Sequence, residues 1–364
     1  MPTEKPRILH VIARFNRGGT ARYLDNLLQG LGEQFQILLA VGHVQENEVE
    51  DSKLAKIDFV RIEHLGRKIS PVRDFWAYLE LRSTVKHFKP QIIHSHTFKA
   101  GVLARLMFFR IPKVHTFHGH LMDDPEFSKR ALQIIINIER HLAKVTKKLI
   151  TVGEQVSKDL LQVGVGKHDQ YISIVSKGQR LDFISREEAR AKLNIHIATP
   201  VVLWMARMVP VKNPLLALEV ARLLPEVSFL MAGDGELIDQ LRDQDLLNVR
   251  LLGWVKPADV IPVADILLST SFNEGVPYTL LEALSAGIPV VATKSGAIAE
   301  LIEDQVTGCL VSNVPEEIAM QINDLLSNSK QRIFMARQAL IQSKLHSKVA
   351  DMVSAHIDLY SADV

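Results

Sequence analysis

The chain has a single cysteine, Cys309, so it can form no intrachain disulfide, a usage that fits a reducing compartment. It has no apolar run approaching the roughly 20 residues that span a bilayer. The first apolar stretch, residues 8–13, follows a polar start and is too short for a secretory signal core. No excess of charge of either sign is present. Lys and Arg number 43 against 41 Asp and Glu, a formal net charge of +2, which gives no argument for a nucleic-acid partner. Internal repeats and low-complexity tracts are missing too. The expectation is a cytoplasmic protein, at most peripheral at the inner face of a membrane.

What is present suffices for two cores. A length of 364 residues, 47% of them hydrophobic, suggests two domains of ordinary size. Short apolar runs alternate with helical patterns, the signature of a parallel sheet covered on both faces. Strands are expected at 8–13, 36–41, 59–62, 91–94, 113–116 and 148–152, with helices at 20–31, 75–88, 99–109 and 129–144. After a linker-like stretch at 176–183 the alternation restarts, with strands at 201–205, 228–232, 249–251, 265–269 and 290–292. The fold class is α/β, two doubly wound Rossmann-like domains facing across a cleft, at residues 1–178 and 179–345. An amphipathic segment, 346–364, ends the chain. Cys309 falls in a strand-like run and reads as a buried, inert thiol.

Residues 271–291 organise the second half. A strand leads into a loop with Glu274 and Gly275, Pro277 is placed as the first helical residue, and Glu282 lies inside the helix that Gly287 and Pro289 stop. A helix opened after a strand offers unpaired amides where its dipole is positive, so the backbone around Val276, Pro277, Tyr278, Thr279 and Leu280 is an anion site in prospect. Glu274 and Glu282, eight positions apart across a loop-to-helix junction, do not suit the close carboxyl pair of a retaining glycosidase, about 5 Å apart. They suit two grips on one elongated ligand. The plain alternative is that Glu274 caps the loop and Glu282 lies on a solvated helix face.

Other stretches carry chemistry. Gly18 and Gly19 lie between the first strand and its helix, where doubly wound folds meet phosphate, although Gly-x-Gly-x-x-Gly spacing is lacking; Thr20 as helix N-cap of a plain turn is the alternative. Arg207 and Lys212 leave the second domain's first strand and suit a diphosphate, Arg as a fork and Lys as a point charge, unless they are ordinary surface cations. Gly233-Asp234-Gly235 by itself is a turn. Histidines crowd strand ends in the first half: His94 and His96, then His115, His118 and His120, with Asp123 and Asp124 nearby. A metal-dependent hydrolase built on His94, His96, His115 and His118 is one reading; neutral imidazoles bonded to sugar hydroxyls are the other. Residues 99–110 and 129–148 interleave basic and apolar side chains, either as membrane-surface helices or as core-facing helices with solvated cations.

Glu274-Gly275, Glu282-Ala283, Ala286-Gly287 and Pro289-Val290-Val291, in that order, resemble the Glu-x7-Glu signature of the retaining glycosyltransferases of family 4 (group 1). The resemblance covers nearly the whole chain. It implies the GT-B fold, with the last helix crossing back onto the first domain. It also implies transfer of a sugar from a nucleotide-diphosphate donor to a sugar, lipid-linked or small-molecule acceptor, in polysaccharide, lipopolysaccharide or glycolipid synthesis. No metal or other cofactor is expected. By the same resemblance Gly18 and Gly19 approach the donor diphosphate and Gly233 and Gly235 line the nucleotide pocket, while Trp254 and Val255 border the base. Arg207 and Lys212 stabilise the leaving diphosphate, and Glu282 holds the ribose. Glu274 holds the transferred sugar, His118 stands by the anomeric carbon, and His96 faces the acceptor side. Domain closure would assemble the site. The chain departs from the family pattern at Ala206 and Asn213, where glycines are usual, at Lys177 in place of Asn, and at Ser295-Gly296-Ala297 in place of a glycine pair. A non-catalytic GT-B scaffold is the remaining alternative.

Overall fold

A strand buried on both faces has no polar side to show, so it reads as a continuous apolar run. The computed structural model describes residues 4–362 except 47, 120, 121, 123, 124, 126, 179, 180 and 347. Among these residues the runs become two all-parallel sheets. The first has the order β3-β2-β1-β4-β5-β6-β7, from β1 (Arg7–Ile12), β2 (Gln36–Val41), β3 (Phe59–Arg61), β4 (Ile92–His96), β5 (Lys113–Phe117), β6 (Lys148–Thr151) and β7 (Tyr171–Ser173). The second has the order β10-β9-β8-β11-β12-β13, from β8 (Val201–Met205), β9 (Ser228–Ala232), β10 (Val249–Gly253), β11 (Ile266–Ser269), β12 (Val290–Thr293) and β13 (Gly308–Val311). Both are doubly wound. Strand order reverses at β1/β4 in one and at β8/β11 in the other, and those are the places where such sheets open a crevice beyond their carboxyl ends.

Each sheet belongs to its own compact unit. One unit comprises the chain up to Gly119, residues 127–176, and the segment from Val349 onward; the other comprises Met122, Pro125 and the run from Lys177 to Lys348. The C-terminal helix, Val349–Ser361, is part of the first unit and packs on α1 (Gly19–Leu31). Two polar contacts pin it. Tyr23 bonds His356 at 3.0 Å, and His94 Nδ1 meets the Tyr360 hydroxyl at 2.5 Å.

Helices α2 (Pro71–Phe88), α3 (Phe98–Arg105) and α4 (Lys129–Ala143) belong to the first unit. Within segment 99–110, α3 turns both of its cations, Lys99 and Arg105, inward, whereas Arg110 beyond the helix is exposed. Lys99 is buried against Asp74 at 2.5 Å, and Arg105 pairs with Glu139 of α4 at 2.7 Å in the interior. α4 keeps Lys129, Arg130 and Lys144 exposed, but among large apolar side chains in the helix only Ile134 accompanies them. Cys309 is buried in β13, and that burial pushes its thiol up to about 12, as an inert side chain requires. No described helix is long and apolar enough to cross a membrane.

Candidate active site

The second sheet's switch point gathers two loops. The one leaving β8 carries Arg207 and Lys212, and the one leaving β11 carries Ser271 and Glu274. Thr270 joins them: its hydroxyl accepts from Trp204 Nε1 at 2.9 Å and donates toward the carbonyl oxygens of Lys212 and Asn213 at 3.0 and 2.8 Å. Phe272 N–H adds a bond to the Val211 carbonyl at 2.9 Å. With both backbones fixed, Lys212 Nζ donates to Glu274 Oε1 at 2.5 Å, and Ser271 Oγ donates to the same oxygen at 2.8 Å. Glu274 is buried and its position is therefore set by charge as well as by backbone. Asn213 adopts a left-handed conformation, φ 50°, which asparagine tolerates better than other non-glycine residues. That conformation lets asparagine stand where the family pattern has glycine.

Arg207 is half-buried and makes no side-chain hydrogen bond or ion pair to any described residue. Its loop is clamped from the other side by the Gly233-Asp234-Gly235 turn. Met208 N–H donates to the Asp234 carbonyl at 2.8 Å, and Gly233 N–H to the Gly253 carbonyl at 2.7 Å. A Cβ on Gly233 would lie 1.9 Å from the Ala206 carbonyl oxygen, so this turn exists to let two backbones touch. The Gly253 bond ties Trp254 and Val255 to the same rim; Trp254 is exposed and Val255 partly so.

The helix expected to open at Pro277 spans Tyr278–Ser285, with Pro277 one residue outside it as the N-cap. No side chain caps it, and its first intrahelical bonds are Leu280 and Leu281 N–H to the Pro277 carbonyl, at 3.1 and 3.4 Å. The end of this helix is thus the polar, donor-rich terminus that the sequence implies. Glu282 does not lie on a solvated face: it is 2% exposed, and Val276, Tyr278 and Leu280 are buried around it in sequence, with Thr279 partly exposed. Gly275 is buried as well. Gly296, left-handed at φ +49°, has its Cβ position 1.9 Å from the Glu274 carbonyl oxygen, and Ala297 N–H donates to that oxygen at 3.0 Å. Of the usual glycine pair, the member that must be glycine to hold Glu274 is retained.

In the first unit the switch point holds histidines. Side chains alternate across a strand, so His94 and His96 share one face of β4 and Ser95 takes the other. His115 follows Ser95, bonding its hydroxyl at 2.9 Å through Nδ1. The expected group of His94, His96, His115 and His118 is therefore split between two faces. Its place is taken by His10 of β1, whose Nδ1 is 3.1 Å from His96 Nε2; His96 Nδ1 in turn is 3.2 Å from His118 Nε2. His10, His94 and His96 are the described residues whose ring nitrogens cluster closely enough to share an ion. Both His94 nitrogens are engaged, by Tyr360 and by Thr116 Oγ1 at 2.7 Å, and no described carboxylate joins the set. His120, Asp123 and Asp124 lie outside the described residues. The hydrolase reading has no support here.

These imidazoles are neutral. Burial, then His356, pushes His10 and His118 down to about 3, and burial also lowers His94, His96 and His115. His356 Nδ1 donates to the Met352 carbonyl at 2.8 Å, so its Nε2 accepts the Tyr23 hydroxyl proton. Gly18 is the N-cap of α1 and Gly19 its first residue, both exposed, which puts Thr20 in the first turn and not at the cap. His10 gave no sign in the sequence, being one polar residue in an apolar run. Ser271 was visible only as the start of the Glu274 loop.

Two family descriptions match the chain in succession: Glycosyltransferase Family 4 over residues 17–178, and Glycosyl transferases group 1 over residues 199–328. The UDP-Gal:alpha-D-GlcNAc-diphosphoundecaprenol alpha-1,3-galactosyltransferase of Escherichia coli is 27% identical over 283 residues, 72% of this chain and 70% of that protein. The O-antigen biosynthesis glycosyltransferase WbnH of Escherichia coli is 24% identical over 321 residues, 87% of this chain and 89% of that one. Among solved structures, Anabaena HepE in complex with UDP-glucose matches with a TM-score of 0.82 at 20% identity, over 98% of this chain and 99% of that chain. The last likeness speaks to the fold alone.

Proposed function

This chain belongs to the family 4 (group 1) glycosyltransferases of GT-B fold, and from that premise we propose that it transfers a hexose, with retention, from a uridine-diphosphate sugar to a hydroxyl of a lipid-linked sugar. The setting is cell-surface polysaccharide or O-antigen synthesis; one Escherichia coli relative is an O-antigen biosynthesis glycosyltransferase, and the other transfers galactose to a diphosphoundecaprenol-linked GlcNAc. One observation carries the assignment: Lys212 and Glu274 are locked together at the β8/β11 switch point, with Lys212 on the loop that also carries Arg207, whose side chain has no partner among the described residues. A guanidinium with no partner among the described residues, an ammonium shared with Glu274 and an uncapped helix end are the donors offered to one pyrophosphate. Such preorganised donors contribute about 10²- to 10³-fold each to rate. We assign them the charge neutralisation that magnesium supplies elsewhere.

Glu282 is assigned to the ribose hydroxyls and Glu274 to hydroxyls of the transferred sugar. Its Oε1 is taken up by Lys212 and Ser271, which suits an acceptor of hydrogen bonds better than a nucleophile. His118, neutral at physiological pH, can give and take hydrogen bonds with sugar hydroxyls but has no proton to deliver as an acid. In the reaction the bond from the anomeric carbon to the β-phosphate oxygen breaks, the acceptor oxygen bonds the same face, and its proton passes to the departing phosphate. A thermal-shift panel of nucleoside diphosphates and their sugars tests the donor, with uridine ligands expected to raise Tm most. The anomeric configuration of the product, read by NMR, tests retention; an inverted linkage rejects it.

A further inference from the structure

Three histidines of the first unit stand in line. His118 Nε2 lies 3.2 Å from His96 Nδ1, and His96 Nε2 lies 3.1 Å from His10 Nδ1. His10 and His96 are fully buried, whereas His118 is part-exposed and its Nδ1 has no partner among the described residues. The far end of the line is His10 Nε2, buried and without a partner.

A neutral imidazole has one N–H donor and one bare nitrogen that accepts, so the protons of such a line all point the same way. Pointing toward His10, they would leave an N–H on His10 Nε2 with nothing to accept it. Pointing toward His118, they leave only a bare nitrogen there. A buried N–H without an acceptor is the rarer defect, which selects the second direction. His10 Nδ1–H then donates to His96 Nε2, and His96 Nδ1–H donates to His118 Nε2. The His118 proton is left on Nδ1.

Neighbouring rings do not compete for these nitrogens. His94 is taken by Tyr360 and Thr116, His115 by Ser95, and His356 by Met352 and Tyr23. The plane of the His118 ring is fixed separately, by Tyr23, which meets it edge-on at 4.8 Å between centroids.

We propose that His96 is a positioning residue, backed by His10, that holds His118 in the Nδ1–H tautomer, so that His118 presents a hydrogen-bond donor to a ligand oxygen. Being fully buried, His96 acts through His118 and replaces the direct acceptor-side role expected of it. The inference rests on the assignment of His118 to the transferred sugar and gives that contact a direction: the ring donates at Nδ1. A neutral histidine in water favours its proton on Nε2, so this tautomer is a signature of the line and not of burial alone.

Imidazole proton–nitrogen correlation spectra of the isotope-labelled full chain at neutral pH test it, with His118 assigned through His118→Gln. Wild-type His118 should carry its proton on Nδ1, and His96→Leu should return it to the Nε2–H form. Release of UDP from UDP-glucose or UDP-galactose should slow roughly 10- to 100-fold in that variant, with UDP affinity by calorimetry unchanged. His96→Asn keeps an amide N–H where Nδ1 stood, and should restore the tautomer and most of the rate. The wild-type spectrum decides even where the leucine variant folds poorly. A wild-type proton on Nε2, or a tautomer indifferent to the loss of His96, overturns the proposal. A tautomer that changes while turnover does not supports the His96 role and rejects instead the place of His118 at the sugar.

Discussion

Lys212 Nζ and Glu274 Oε1 lie 2.5 Å apart although 62 residues separate them in the chain. The pair exists because β8 and β11 are neighbours in the sheet and Thr270 ties their loops. Removing one partner leaves the other buried and uncompensated. Lys212→Ala is therefore expected to lower stability by about 1–3 kcal/mol. Turnover should fall about 10²- to 10³-fold in the same variant. Urea unfolding and initial rates check both numbers, and near-native turnover would remove Lys212 from the mechanism.

Glu282, 2% exposed on a helix whose N-terminus opens toward the same loops, is assigned to binding and not to bond breaking. Glu282→Gln keeps the shape and loses the charge. A charge-assisted bond is worth about 1.5–3 kcal/mol, so nucleotide affinity should weaken by roughly tenfold to a hundredfold while kcat changes less. Calorimetry with UDP reads this directly, and unchanged affinity rejects the ribose assignment.

Burial holds His10, His94, His96, His115, His118 and His356 below the ordinary 6.5, with His356 at about 4. As pH falls below about 6.5 the unfolded chain takes up protons on these rings that the folded chain refuses. Their contribution to stability is thus complete above that value and is lost toward the folded-state values, at up to about 1.4 kcal/mol per pH unit for each ring. Denaturant midpoints should drop steeply from pH 7 to pH 5. A flat profile would mean that the rings titrate normally.

The sheets were legible because buried parallel strands are apolar runs, and β2 falls at the expected residues. β4 runs two residues beyond its expected end, since His94, Ser95 and His96 look like a loop until neighbouring strands supply their partners. α2 starts at Pro71 and not at residue 75, because Val72, Phe75 and Trp76 face water and blur the helical period. Arg207, Lys212, Glu274 and Glu282 were marked as candidates by spacing and resemblance. What joins them was not: the roles of Thr270, Ser271 and Gly296 depend on which strand ends touch, as does the link from His10 to His96. Local sequence carries no record of such contacts.

Side-chain cations and helix amides, without magnesium, are assigned the neutralisation of the donor pyrophosphate. Calorimetric titration of UDP into wild type and Arg207→Ala, each in EDTA and in magnesium, tests it most directly. Binding in EDTA should be unchanged by added magnesium, and weakened about tenfold or more by the substitution. Binding that requires magnesium, or that is indifferent to the loss of Arg207, would contradict the assignment.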